Sequence, residues 1–146
     1  MTDFRILSDS MLASPQIEPA DVLRAKQAGV TLIINNRPDG ESPDQPAGSA
    51  IEAAAAEQGI AYTAIPVSSA GFSLPQVDAM EEALASAQGK VLAFCRSGTR
   101  STFLWSMVQA KSGADIEAIA DQAATAGYDI SPIRPTMEML RAGSDG

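Results

Sequence analysis

Histidine is absent from all 146 residues. That absence removes the commonest general base, the Ser-His and Cys-His pairs of nucleophilic catalysis, and any histidine-bearing zinc site. Cysteine occurs once, at Cys95. A single cysteine cannot close an internal disulfide, which agrees with a reducing compartment. Basic residues are few, 10 Lys plus Arg against 18 Asp plus Glu, for a net charge of −8. Phosphate neutralisation needs a basic surface, so nucleic acid is disfavoured as a partner, and the charge reads mainly as a solubility device. No apolar run approaches the roughly 18 residues of a membrane helix, so no membrane partner is expected. The start, MTDFRILSDS, lacks the basic region and apolar run of a signal peptide, which makes the cytoplasm the expected compartment. Any chemistry is left to Cys, Asp/Glu, Lys/Arg, hydroxyls and backbone amides, and nothing calls for a metal or cofactor.

What is present is an apolar content of 45%, enough for one sizeable core in a chain of this length. Strand and helix patterns alternate. Phe4 to Leu7 and Ser10 to Ala13 read as edge strands, and Glu18-Pro19 opens a helix that runs to about Ala28 and stops at Gly29. Val30 to Ile34 is a β-branched run of the kind buried on both faces of a sheet, followed by a loop from Arg37 to Gly48. A helix is predicted over about Ala47 to Gln58, a strand over Ala61 to Val67, and a loop over Ser68 to Ser73. Leu74, Val77, Met80 and Leu84 then fall at helical spacing, and Val91 to Phe94 forms another apolar strand. Helices follow with apolar faces at Phe103, Leu104, Met107 and Val108, at Ile116, Ile119, Ala120 and Ala123, and at Ile133, Met137 and Leu140. Without repeats or linkers this predicts one α/β domain over residues 1–146, a central, mostly parallel sheet flanked by helices on both sides.

The informative stretch is KVLAFCRSGTRSTFLW, Lys90 to Trp105. A buried strand ends at Phe94, a compact polar loop follows, and a helix begins near Ser101. Such a loop lies at the C-terminal edge of a parallel sheet, where open α/β folds bind ligands. Orphan N–H groups at the helix start and successive loop amides favour an anion, and Gly98 permits the backbone turn that brings those amides inward. Cys95 there would feel the helix dipole and the guanidinium groups of Arg96 and Arg100, both of which favour thiolate over thiol. Arg100 is suited to grip an oxyanion with two parallel hydrogen bonds. The expected anion-binding set is Arg96, Ser97, Gly98, Thr99 and Ser101, with Arg96 the member expected to point outward. Arg37, beginning a loop just after a strand, is placed either at the site's mouth, attracting an anion, or in a local salt bridge with Asp39 or Glu41. Those two carboxylates read as solvated loop residues, with Asp39 a possible accessory to the site.

Four segments occur in order: Ser14-Pro15-Gln16, IINNRPDGE (Ile33 to Glu41), AYTAIPVSS (Ala61 to Ser69) and FCRSGTRS (Phe94 to Ser101). Together they resemble the phosphatase-like domain found alone, or fused to metallo-β-lactamase-type proteins, in the bacterial beta-lactamase hydrolase-like family. The resemblance covers nearly the whole chain and implies a cysteine-phosphatase-like fold related to dual-specificity phosphatases. It also implies a metallo-β-lactamase-type or sulfide-oxidising enzyme as a possible associate.

The chain departs from the phosphatase pattern in three places. Cysteine phosphatases carry His-Cys, then five residues, then Arg; here Phe94 replaces the histidine and only four residues separate Cys95 from Arg100. The Cys-Arg-Ser-Gly-x-Arg spacing is instead similar to single-domain rhodaneses, which move sulfur through a cysteine persulfide. The aspartate that phosphatases place after the Ile-Pro-x strand end is replaced by Ser68, Ser69 and Ala70. General acid catalysis contributes about 10²–10⁴-fold, whereas thiolate attack on thiosulfate or a persulfide expels a good leaving group without an acid. The leading expectation is therefore a sulfurtransferase, with Cys95 accepting sulfur from a small anion such as thiosulfate or a persulfide. The alternative is a cysteine-dependent phosphatase that hydrolyses a phosphoester through a phosphocysteine. A third reading is a non-enzymatic module that binds anions or carries a persulfide.

Overall fold

A computed structural model describes residues 3–68 and 70–145, and the side chains of all of these but 144 and 145. Five strands form one sheet in the order β1-β2-β5-β3-β4. They are β1 (Arg5–Ser8), β2 (Met11–Ser14), β3 (Val30–Asn35), β4 (Ala61–Ala64) and β5 (Lys90–Phe94). Only β1 runs antiparallel to its neighbour; β2, β5, β3 and β4 are mutually parallel. The α/β architecture with a mostly parallel, helix-flanked sheet is as the alternation of patterns predicts.

The apolar runs explain why β3 and β5 lie in the middle. Successive residues of a strand point to opposite faces, and here both faces are covered. Val91 and Ala93 join one core with Leu32 and Ile34, while Leu92 and Phe94 join another with Val30 and Ile33. Helices α1 (Asp21–Gln27) and α2 (Gly48–Glu57) close the smaller layer through Val22, Ala25, Ile51 and Ala55. The larger layer holds α3 (Leu74–Ser86), α4 (Thr99–Lys111), α5 (Ile116–Thr125) and α6 (Arg134–Asp145), the last preceded by a 3₁₀ turn, Ser131–Ile133.

At the centre of the larger layer, α4 is flanked by α3, α5 and α6 and buried on most sides. Its buried hydroxyls are satisfied: Thr102 Oγ1 donates to the Gly98 carbonyl and Ser106 Oγ to the Thr102 carbonyl, both at 2.8 Å. Back-bonding of this kind lets small polar residues occupy a buried helix without an orphan group.

Several predicted boundaries shift. Only β1 of the first two strands is an edge; β2 is interior, because β5 pairs with its other side over Met11 to Ser14. Helix α1 starts at Asp21 rather than Glu18, since Asp21 Oδ2 accepts from the Glu18 amide and closes a turn ahead of it. β4 stops at Ala64, although the Ile65 and Val67 amides still donate to the Asn35 and Asn36 carbonyls. Leu74 is 59% exposed, being the first residue of α3 and off the stripe of Val77, Met80 and Ala83. Helix α4 begins at Thr99, not Ser101, so Arg100 belongs to its first turn. Ser69, in the loop predicted over Ser68 to Ser73, lies outside the described residues.

Candidate active site

Parallel pairing assembles the site. Ser14, Phe94 and Asn35 are register partners at the C-terminal ends of β2, β5 and β3. The segments that leave these ends therefore emerge side by side, and backbone bonds bind them together. The Cys95 amide donates to the Ser14 carbonyl and the Gln16 amide to the Arg96 carbonyl, each at 3.3 Å. The Asn36 amide donates to the Phe94 carbonyl at 2.8 Å. Cys95 thus sits at the sheet's C-terminal edge ahead of α4, where helix-terminal amides accumulate.

Within the loop, the Gly98 amide donates to Cys95 Sγ at 3.1 Å. Gly98 holds φ at +92°, a left-handed conformation that side chains resist, and it caps α4. Ser97 and Thr99 brace the turn through their hydroxyls, 2.9 Å apart, and Ser97 Oγ also accepts from the Thr99 amide. The thiol itself is fully buried.

Arg100 reaches across from α4 to the loop after β3. Its Nη1 and Nη2 donate to the two carboxylate oxygens of Glu41, each at 2.8 Å, and Nη1 also donates to the Val67 carbonyl at 2.5 Å. This fork-on-fork pairing is the geometry in which arginine binds planar oxyanions. Glu41 also accepts from Arg37 Nε at 3.0 Å, while Arg37 Nη1 donates to Gln16 Oε1 at 3.1 Å. The Glu41 carboxyl is lowered to about 2, first by the hydrogen bond from Arg100 and then by that from Arg37, against an opposing effect of burial. Arg100 is raised, chiefly by Glu41 and further by the neighbouring Cys95 sulfur. Arg100 therefore grips a carboxylate while lying close enough to Cys95 to feel its sulfur.

Of the residues read from the sequence, Cys95, Gly98 and Arg100 converge. Arg37 takes the salt-bridge alternative, with Glu41 rather than Asp39, and is almost wholly buried. Ser101 is buried and donates to Asn36 Oδ1 at 2.8 Å, so its hydroxyl is engaged away from any anion. The Arg96 side chain is exposed and lines a groove of about 250 Å³ with Gln16, Glu18, Arg37 and Asp44. Asp39 is not at the cradle: its Oδ1 accepts from the Gly48 amide at 2.9 Å and steadies the start of α2. Glu41 is not the purely solvated carboxylate expected of that loop, because two arginines hold it.

Three positions carry structure that the sequence reading did not assign. Asn36 Nδ2 donates to the Ile65 carbonyl at 2.9 Å while its Oδ1 receives Ser101, tying β3, the strand after it and α4 together. Gln16 bridges to Arg37, and Tyr128 Oη donates to the Ser97 carbonyl at 3.0 Å. The -Asn-Asn-Arg- run after a buried strand is a signal for Asn36, since polar residues at a parallel strand's end point toward a site. Tyr128 lies 31 residues from its partner and left no local signal.

Comparison with known proteins identifies the family and the fold. Residues 3–112 match the family model described as "Beta-lactamase hydrolase-like protein, phosphatase-like domain". A beta-lactamase hydrolase-like protein of Xylella fastidiosa is 34% identical over 107 residues, 73% of this chain and 25% of that protein. The chain thus spans about a quarter of the length of the curated relatives it matches. A solved structure from Neisseria meningitidis Z2491, described as a candidate phosphatase, superposes with a TM-score of 0.83 at 30% identity, covering 94% of this chain and 97% of that one. PTPMT1, at 13% identity and a TM-score of 0.69 over 98% of this chain and 99% of its own, shares the fold alone.

Proposed function

The chain belongs to the phosphatase-like domain family of the beta-lactamase hydrolase-like proteins, and from that premise we propose that it is a cysteine-dependent phosphatase acting on phosphomonoesters with good leaving groups. The observation that carries the reading is the cradle itself. A cysteine sulfur receives a loop amide at a helix N-terminus, and the arginine beside it is already gripping an oxyanion, that of Glu41. The description of the Neisseria relative as a candidate phosphatase points the same way. These features support the phosphatase reading over the sulfurtransferase expectation, which rests on the short loop, the missing histidine and the missing acid.

In this reading the substrate dianion displaces Glu41 from Arg100. The Cys95 thiolate attacks phosphorus, forming an S–P bond as the P–O ester bond breaks and its electron pair leaves on the alcohol oxygen. Water then attacks the phosphocysteine, releasing inorganic phosphate and restoring the thiolate. Residues 65–73 contain no carboxylate, and Glu41 is ionised while it pairs with Arg100, so it holds no proton to give. An aryl phosphate, whose phenolate leaves unaided, is the appropriate substrate.

The test is steady-state hydrolysis of a generic aryl phosphate by the reduced protein and by Cys95→Ser. Saturable turnover lost in the variant is expected. Sulfur transfer remains the second reading, favoured by the four-residue spacing and the carboxylate-free loop after β4. If the protein fails to turn over aryl phosphate yet gains one sulfur from thiosulfate on Cys95 alone, sulfur transfer takes first place.

A further inference from the structure

We infer that Tyr128 is a positioning residue of this site: its hydroxyl fixes the orientation of the Ser97–Gly98 peptide, and so aims the Gly98 amide at Cys95. The inference rests on reading the β5–α4 loop as an anion cradle. A trans peptide unit is planar, with its C=O and N–H pointing in opposite directions. In this peptide the carbonyl of Ser97 accepts from Tyr128 Oη at 3.0 Å, and the N–H of Gly98 donates to Cys95 Sγ at 3.1 Å. The two bonds lie at opposite ends of one rigid plane. Rotating the peptide breaks both, and a rotated peptide would present a carbonyl oxygen to the thiolate and to any bound anion.

Such rotation is a real alternative, because Gly98 is the residue at which the backbone turns most freely. The same glycine leaves room for the phenol: a Cβ at Gly98 would stand 2.1 Å from Tyr128 Oη. Tyr128 is itself held firmly. Its amide donates to the Ala123 carbonyl at 2.9 Å across the left-handed Gly127, closing α5 in a Schellman-type cap. The Arg5 guanidinium lies 5.2 Å from the ring centroid. Burial raises the phenol above its ordinary value, which keeps the donor protonated. Arg100 is the charged group that acts on the sulfur, and the Gly98 amide ahead of α4 is the polar one. Tyr128 lies beyond residue 112, outside the segment that matches the family model, so the helices after α4 reach back to complete the cradle.

Tyr128→Phe removes only the hydroxyl and keeps the ring's packing. The measurement is the ultraviolet absorbance of the thiolate against pH on the full chain, with Cys95→Ser subtracted; it requires no turnover and no access of a reagent to the buried sulfur. The profile of the variant is expected to move to higher pH by about one unit, a tenfold change, because a hydrogen bond to a charged group is lost. Inorganic phosphate should bind about tenfold more weakly by calorimetry. p-Aminophenylalanine at position 128 keeps a weaker donor and should fall between the two, which preserves the test should the phenylalanine variant fold poorly. Profiles that coincide with wild type in folded variants, even with a lowered melting temperature, overturn the proposal. Absence of phosphatase activity with a displaced profile would leave it standing and would count against the proposed reaction alone.

Discussion

Two loops meet at the same sheet edge and are built on opposite principles. After β5, Cys95 to Arg100 carries the proposed nucleophile, the turn glycine and the guanidinium within six residues, on a loop that runs directly from strand into helix. After β3, the chain from Arg37 to Gly48 has no regular structure until α2, and its functional atom, the Glu41 carboxylate, is placed by Arg100 and Arg37. One loop is braced by hydrogen bonds to its own backbone and to neighbouring segments, the other by charge across a gap of 59 residues. A short loop braced by amides presents its ligands ready-made, whereas a long one acquires its position from whatever it pairs with. In the proposed reaction the first supplies the chemistry and the second the resident anion that a substrate must replace.

The comparison can be broken most completely inside the first loop. Cys95→Ser removes the attacking sulfur, and aryl phosphate turnover should fall by at least about a thousandfold in steady-state assays. Gly98→Ala comes next. It forces a side chain into φ +92° and toward Tyr128 Oη, so both melting temperature and turnover should drop, with about 1–3 kcal/mol of backbone strain alone. Arg100→Lys keeps the charge and loses the fork; phosphate affinity measured by calorimetry should weaken by about tenfold or more.

Glu41→Gln sharpens the contrast rather than breaking it. Removing the resident charge should tighten inorganic phosphate by about threefold, the scale of a partly exposed ion pair. The same variant tests the pH dependence. Glu41 has a folded value near 2, below its ordinary 4.5. Its contribution to stability is thus fully present above pH 4.5 and is lost as pH falls toward 2. Chemical denaturation across that window should show a shallower acid decline in Glu41→Gln; identical slopes would show that the pair adds no stability. The smallest effect is expected from Asp39→Ala, which removes a contact to the start of α2 at about 1 kcal/mol while turnover stays within about twofold of wild type.

The legible part of the fold follows from periodicity. Val30 to Ile34 has the pattern of a strand buried on two faces and Val91 to Phe94 that of another apolar strand, and the structure places both centrally with helices on both sides. β2 was less legible, because a four-residue strand reads alike whether one edge or both are paired. At the site, Cys95, Gly98 and Arg100 could be found because their chemistry and their spacing coincide within one strand–loop–helix unit. Asp39 and Glu41 lie two residues apart in one polar loop, and composition cannot say which of them turns to Arg100 and which to the Gly48 amide.

Local pattern made Cys95, Arg100, the turn at Gly98 and the individual strands legible, since each of these follows from neighbours a few residues away. The sequence by itself also ruled histidine out of the chemistry. Only the tertiary structure decided which carboxylate fills the guanidinium fork, that the Ser101 hydroxyl serves Asn36, and that Tyr128 stands behind the Ser97–Gly98 peptide. Those choices depend on register between strands far apart in the chain and on where α5 ends. Such long-range pairings arise from the packing of whole layers, and no local pattern of residue types encodes them.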